Sequence, residues 1–333
     1  MTGEGQEQRQ VIVSGARPTG RLHLGNWHGA LKNWVRLQRE HDCLFFVADW
    51  HALTTAWEDP QGIEAATIDM VLDWLAVGLD PERCTIFLQS AVKEHAELFV
   101  VLAMVTPVPW LERNPTYKEQ REQLVDRDLS TLGFLGYPVL QAADVLMYRA
   151  TAVPVGIDQA PHIELAREIA RRFNATYRPL FPEPKTLLTD TPKILGTDGR
   201  KMSKSYDNAI YLTEPPADID RKLSRMVTDP RRARRTDPGV PTDCPAYQSF
   251  HTTYCTPDEL AWQETGCRTA GIGCLECKKV MIKHVLDELG PFQERRQRLR
   301  PDDARAALEA GNARARRIAA ETMGAVREAL GLG

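Results

Sequence analysis

The sequence predicts an α/β fold, with a parallel sheet and covering helices over the first two-thirds and an α-helical C-terminal domain after it. Three observations predict it. Short apolar runs alternate with amphipathic stretches up to about residue 173, as successive βαβ units require. A glycine-rich turn follows the first apolar run directly. Beyond about residue 206 the strand-like runs stop, and Arg-rich helical stretches take over.

Residues 11–14 read as a short buried strand, and the glycines and proline of 15–20 break it. Residues 22–40 read as an amphipathic helix, 43–49 as a second strand, 66–79 as a helix and 84–89 as a third strand. A segment near 99–135 interrupts the alternation with Pro107, Pro109 and Pro115, as an insertion between two halves of a sheet would. Residues 139–148 then look helical, 152–155 form a strand, and 161–173 carry a strong amphipathic pattern. After 206 come four or five helical stretches with joints at Pro215, Pro216, Pro230 and Pro238. The expected organisation is a Rossmann-like parallel-sheet domain at 1–206, including the insertion, and a helical domain at 207–333.

A chain of 333 residues can bury a sizeable core and divide into two domains. With 43% hydrophobic and 26% charged residues it has the composition of an ordinary globular protein. Net charge is only −3, so a nucleic-acid partner has to be met by a local basic face rather than by bulk charge. Residues 1–10 are polar without an apolar signal core, and no apolar run is long enough to span a bilayer; a cytoplasmic protein without membrane attachment is expected. Seven cysteines in such a chain do not suggest a disulfide framework, so clustered ones point to metal.

Two segments carry chemistry. In Lys201-Met202-Ser203-Lys204-Ser205, two ammonium groups and two hydroxyls follow a turn-forming Gly196–Gly199, which suits a polyphosphate that must be gripped and released. Alone it also reads as a solvated basic loop. After the first strand, Gly15-Ala16-Arg17-Pro18-Thr19-Gly20-Arg21-Leu22-His23-Leu24-Gly25-Asn26 gives a strand, a glycine-rich turn and a helix start, which together present backbone N–H groups to an anion. Gly25 would let an adenine ring lie against the backbone, while His23 and Asn26, one turn apart, would donate to phosphate. The bland alternative is that both are capping residues. The spacing fits neither a dinucleotide fingerprint nor a P-loop.

Together these segments resemble the class I aminoacyl-tRNA synthetases. His-Leu-Gly-Asn at 23–26 is similar to their first signature, and Lys-Met-Ser-Lys-Ser at 201–205 is identical to their second. Gly156-Ile157-Asp158-Gln159 resembles the Gly-x-Asp-Gln element of the tyrosine and tryptophan branch. Residues 15–26 and Tyr137-Pro138-Val139-Leu140-Gln141-Ala142-Ala143-Asp144 look like the tryptophan-specific bacterial members, and the resemblance runs from about 11 to 330.

That resemblance implies a reaction: L-tryptophan and ATP give tryptophanyl-adenylate and pyrophosphate, and the tryptophanyl group passes to the 3′-end of tRNA(Trp). The substrate carboxylate is the nucleophile at phosphorus, so no catalytic base is needed, and the protein aligns groups and neutralises phosphate charge. His23, Asn26, Lys201 and Lys204 would carry catalysis, the lysines holding the β- and γ-phosphates, with Mg2+ accompanying ATP. Arg17, Pro18, Thr19 and Gly25 would complete an ATP wall, joined by Gly156, Ile157, Asp158, Ile194, Met202, Ser203 and Ser205. Asp158 would contact a ribose hydroxyl. At Ile157 the family often has an acidic residue, so only a backbone role carries over.

For the amino acid, Asp144 would accept the indole N–H at the bottom of an apolar pocket, a bond that phenylalanine cannot make. Tyr137 and Gln159 would bind the α-ammonium group, and Gln141, His51, Val153 and Val155 would line the indole slot. Asp144 as a helix-surface carboxylate and His51 as a satisfied core histidine are the bland alternatives.

Cys244, Cys267, Cys274 and Cys277 are spaced C-x22-C-x6-C-x2-C, and four thiolates suit structural zinc or an iron–sulfur cluster alike. The spacing resembles that of tryptophan-specific synthetases carrying a [4Fe-4S] cluster in the helical domain, which favours iron–sulfur. Lys278, Lys279 and Lys283, then Arg295, Arg296, Arg298 and Arg300, then Arg314, Arg316 and Arg317 would give basic faces to an anticodon-reading domain. Arg231–Arg235 could touch RNA or ATP phosphates, or be a charged loop. A homodimer is implied. The rivals are a tyrosyl-tRNA synthetase, a small nucleotidyltransferase, and a metal-binding RNA-interaction protein that no longer catalyses.

Overall fold

The computed structural model describes residues 9–115, 130–188 and 194–332, and leaves the Asp158 and Ser205 side chains outside the description. The chain folds as two compact units. One comprises 1–20, 34–189 and 300–333, the other 21–33 and 190–299. These units do not follow a single division at 206: the sequence pattern could not show that the last helix returns to the sheet.

The first unit is built on a five-stranded sheet in the order β3-β2-β1-β4-β5, all pairs parallel. The strands are β1 (Val11–Ala16), β2 (Asp42–Val47), β3 (Thr85–Leu88), β4 (Ala152–Val155) and β5 (Lys185–Leu188). Residues 43–47 of β2 are buried in succession, which is the signature of a parallel strand covered on both faces. The sequence reading missed β5 because only four residues form it and they are at most half-buried.

The longer helices in chain order are α1 (residues 24–37), α2 (Asp49–Ala56), α3 (Ile63–Val77), α4 (Glu94–Val105), α5 (Leu132–Met147), α6 (Ala160–Thr176), α7 (Pro216–Arg225), α8 (Pro257–Arg268), α9 (Cys274–Arg298) and α10 (Pro301–Leu330). The middle of α1, Trp27–Leu31, is π-helical. α5 begins well before the predicted 139, capped by Thr131, whose hydroxyl accepts from Phe134 N–H at 3.2 Å. α2 and α4 were not anticipated, and residues 116–129 of the expected insertion lie outside the described residues.

One core layer of the first unit gathers Val13, Leu44, Phe46 and Phe87 from the strands with Leu98, Leu102, Val139, Leu146 and Ile163 from the helices. Across the sheet, Trp34 stacks on Phe45 at 4.5 Å and meets Trp74 edge-on at 5.3 Å.

The most informative departure is α10, which the sequence placed in a helical domain. It packs along β3 and its Ala315, Ala319, Met323 and Val326 join the sheet core. A Cβ on Gly311 would stand 1.7 Å from the Ile86 carbonyl oxygen, so only glycine permits the approach. Asn312 Oδ1 then accepts from Leu88 N–H at 2.9 Å, covering an edge strand that would otherwise expose its backbone. Arg314 donates to Pro81 O at 2.7 Å, Arg316 to Ala91 O at 2.8 Å, and Arg327 pairs with Glu97. Arg314 and Arg316, expected on an RNA-facing surface, are therefore engaged by the sheet unit.

In the second unit, residues 21–24 run antiparallel to 210–213. Leu24 N–H donates to Ile210 O at 3.0 Å and Leu212 N–H to Leu22 O at 3.0 Å. α7 and α9 pack through Ile219, Leu223, Met281, Ile282 and Val285, all buried. No helix among the described residues is long and apolar enough to cross a membrane.

Candidate functional site

The second unit brings the two signature segments together. His23 caps α1 with an extended backbone, and Asn26 Oδ1 accepts from His23 N–H at 2.9 Å. The capping role of Asn26 is thus real, and its amide nitrogen remains a donor. A Cβ on Gly25 would meet the His23 ring at 3.0 Å and Met202 Cβ at 3.8 Å, so the glycine keeps imidazole and loop in close contact. Burial, with the positive charge of Lys204 added, lowers the His23 pKa to about 4, so the ring is neutral at pH 7. Its Nδ1 is buried with no hydrogen-bond partner among the described residues. A neutral imidazole beside an ammonium is the chemistry of an anion site.

The loop carrying Lys201–Lys204 is a tight hairpin. Gly196 N–H donates to Arg200 O at 2.7 Å, and Leu195 bridges to Lys201. Gly199 has φ +81, a conformation that favours glycine, and packs against Pro245 and Val227. Met202 and Ile194 are buried at 5% and 6% exposure, whereas Lys201 projects into solvent. Met202 therefore anchors the loop between two lysines.

In the first unit Tyr137, Gln141 and Asp144 fall on one face of α5, at i, i+4 and i+7. Asp144 is completely buried. Its Oδ1 accepts from Gln89 Nε2 at 2.8 Å and lies 2.6 Å from His95 Nδ1, while its Oδ2 is 2.7 Å from His51 Nε2. His95 Nε2 meets the Tyr148 hydroxyl at 2.7 Å. Burial alone would raise the Asp144 pKa, but the two imidazoles outweigh it and hold the carboxyl at about 2. The surface reading of Asp144 is excluded, and Oδ2, with one bond, is the oxygen that retains accepting capacity.

His95, Gln89 and Tyr148 were missed by the sequence reading. Their only signal was a polar residue inside an otherwise apolar helix or strand end.

Tyr137 hydrogen-bonds His162 Nε2 at 3.3 Å. Burial pushes its phenol up to about 12, Arg17 opposing. Val153 and Val155 share one face of β4, the first buried and the second half-buried. Gly156 caps a short turn, Ile157–Gln159, leading into α6, with Ile157 71% exposed. Arg17, Pro18, Thr19 and Gly156 through Asp158 belong to the first unit, His23, Gly25, Asn26, Ile194 and 201–205 to the second. The expected roles of the Asp158 and Ser205 side chains fall outside the description. A separate cleft of about 460 Å³ in the first unit is lined by Trp50, Leu53, Trp57, Phe99, Tyr137 and Leu140 among others, so of the predicted tryptophan ligands only Tyr137 reaches it.

Cys244, Cys267, Cys274 and Cys277 all line one cavity of about 30 Å³ in the second unit, with Arg232, His251 and Lys278. That exceeds the space one water needs. Burial, then the thiols of Cys244, Cys267 and Cys274, pushes Cys277 up to about 12, as crowded neutral thiols require. Arg232 Nη1 lies 3.9 Å from Cys267 Sγ. Among the described residues no three His, Cys, Asp or Glu side chains are drawn together as a metal-ion site. Lys278, expected on an RNA-facing surface, is 5% exposed and donates to the Ser224 and Met226 carbonyls. Lys279 and Lys283 are exposed.

Residues 6–288 match the family described as tRNA synthetases class I (W and Y). The chain belongs to that family. This synthetase is 50% identical to the tryptophan–tRNA ligase of Thermotoga maritima, over 96% of the chain and 99% of the relative. It is 46% identical to the tryptophan–tRNA ligase of Ralstonia nicotianae, over 96% and 98%. A crystal structure of tryptophanyl-tRNA synthetase from Campylobacter jejuni, complexed with ADP and tryptophan, superposes with TM-score 0.86 at 30% identity, covering 97% of this synthetase and all of that chain. The parallel sheet and helical remainder expected from the sequence are those of the family.

Proposed function

We propose that the chain is a tryptophan–tRNA ligase. It activates L-tryptophan with ATP to tryptophanyl-adenylate and transfers the tryptophanyl group to tRNA(Trp). The observation that carries this reading is the meeting of His23, Gly25 and the Lys201–Lys204 loop, with no positioned general base needed beside them. Lys201 and Lys204 stabilise charge on the β- and γ-phosphates, and Mg2+ enters with ATP as part of the substrate. A grip that tightens as charge builds raises the rate more than uniform binding does. His23 and Asn26 donate to the phosphates from the helix start.

Amino-acid selection is assigned to Asp144, whose charge is fixed by His51 and His95 before substrate arrives. A buried acceptor penalises an apolar competitor that leaves it unpaired. Tyr137 and Gln159 take the α-ammonium group, with Gln141, Val153 and Val155 along the slot. Pyrophosphate exchange measured separately with Trp and Tyr tests the assignment: exchange with Trp alone is expected, and exchange with Tyr alone overturns it.

In this reading the four thiols would hold a [4Fe-4S] cluster. A shared cavity lined by four thiols and an adjacent guanidinium suit an anionic cluster. Cys244, Cys267, Cys274 and Cys277 would hold the cluster, and its iron–thiolate bonding would cross-link residues 244 and 267 to the start of α9. Anaerobic purification with iron, sulfide and zinc analysis separates cluster from zinc: one zinc per chain and no sulfide sinks the cluster. Exposed Trp57, Val100, Met104, Val108 and Leu132 give the first unit an apolar surface suited to a homodimer, which works in the cytoplasm where tRNA is charged.

A further inference from the structure

We infer that Asn208 is the positioning residue that sets the spacing of Lys201, Ser203 and Lys204 for the phosphates. This rests on the proposed tryptophan activation. Asn208 is 2% exposed and lies just beyond the signature loop. Its Oδ1 accepts from Ser203 N–H at 2.8 Å. Its Nδ2 donates to Lys201 O at 3.2 Å and to Asp198 Oδ1 at 2.7 Å. Its own carbonyl accepts from Thr197 N–H at 2.9 Å. One side chain therefore holds both limbs of the hairpin, at 198 on one and at 201 and 203 on the other.

Two further observations show that the arrangement is built for this amide. A Cβ on Gly196 would lie 2.2 Å from Asn208 Cγ, so the facing residue has no side chain to leave room for it. Asp207 adopts φ +50, a conformation that non-glycine residues rarely take, in the turn that brings Asn208 under the loop. Asp198 is itself oriented by Arg200, whose backbone N–H donates at 3.0 Å and whose Nε donates at 2.7 Å. The amide is one link in a chain of satisfied bonds, and a loop fixed this way loses little entropy when its lysines meet charge.

The consequence is specific to ATP chemistry. Removing the amide frees Lys201 O and Ser203 N–H, so the ammonium groups lose their spacing while tryptophan recognition on the other unit's residues is untouched. The test uses the full-length protein and measures kcat and KM for ATP in tryptophan-dependent exchange, tryptophan binding without ATP, and thermal stability. Asn208→Ala is expected to lower kcat on the order of 10²-fold with tryptophan affinity unchanged.

Pairing Asn208→Asp with Asp198→Asn restores the 198–208 bond with reversed polarity and is expected to recover part of the rate lost in Asn208→Asp alone. This pair decides the matter if Asn208→Ala fails to fold. A kcat for Asn208→Ala within twofold of wild type overturns the inference, as does a double variant no faster than Asn208→Asp. Should the wild-type protein itself show no exchange with Trp, the proposed function fails instead.

Discussion

At the scale of single residues, Asp144 shows how a buried carboxyl is kept charged. Its carboxylate is fully shielded yet ionised, because two imidazoles and an amide surround it. Asp144→Asn keeps the shape and removes the charge. We expect KM for Trp to rise about tenfold or more while KM for ATP moves less than about twofold, read from exchange kinetics. An equal change in both constants would show that the carboxylate merely supports the fold. Lys204→Ala makes the opposite expectation: adenylate formation slowed by about 10²-fold with tryptophan binding intact, measured by rapid quench and by fluorescence titration. Asp144, Tyr137 and Gln141 were named in advance through the resemblance, while the periodic pattern began the helix at 139 and did not show that all three share one face of α5. The supports of Asp144 were not legible, since His95 and Gln89 reach it from other elements and nothing in a linear pattern joins 89, 95 and 144.

Among elements, α10 is where sequence and structure part. Its Arg-rich, alanine-rich pattern suits either a solvated helix or one laid on a sheet, and only the partner decides. Gly311 was the available clue. A glycine inside a long helix weakens it by about 1 kcal/mol and needs a packing reason. Here the reason is the Ile86 carbonyl. Gly311→Ala should push the helix off β3 and cost about 3 kcal/mol, lowering Tm by about 6 °C or more. Gly324→Ala, on the same helix with nothing within 4 Å of the added Cβ, is the control and should hold or raise Tm. If the two variants melt alike, α10 does not depend on that close approach. The β1-turn-α1 passage was readable in advance because glycine, proline and an apolar strand punctuate it locally. The antiparallel run of 21–24 along 210–213 was not, being a long-range pairing between segments without strand-like composition.

Across the whole molecule, the shifted carboxyl and imidazole groups share one direction, each lowered. Asp144 is held at about 2 against burial by His51 and His95, and Glu288 at about 2 against burial by His28 and Lys32. A carboxyl depressed in the folded state adds stability that is complete above its unfolded value and disappears as pH falls through the folded one. For these two the loss runs from about pH 4.5 down to about 2. His23 works in a higher window. Its folded value of about 4 lies below the unfolded 6.5, so between those limits the unfolded chain binds a proton that the folded chain refuses. Stability therefore falls as pH drops from 6.5 to 4, most of the fall lying above the carboxyl window. Melting curves taken from pH 7.5 to 4.5 should show a steady decline in Tm. Buried His251, also lowered to about 4, titrates in the same window, so His23→Gln should make the decline shallower without abolishing it. A variant whose decline parallels the wild type would place the source at other histidines and would mean that the imidazole beside Lys204 is not held neutral.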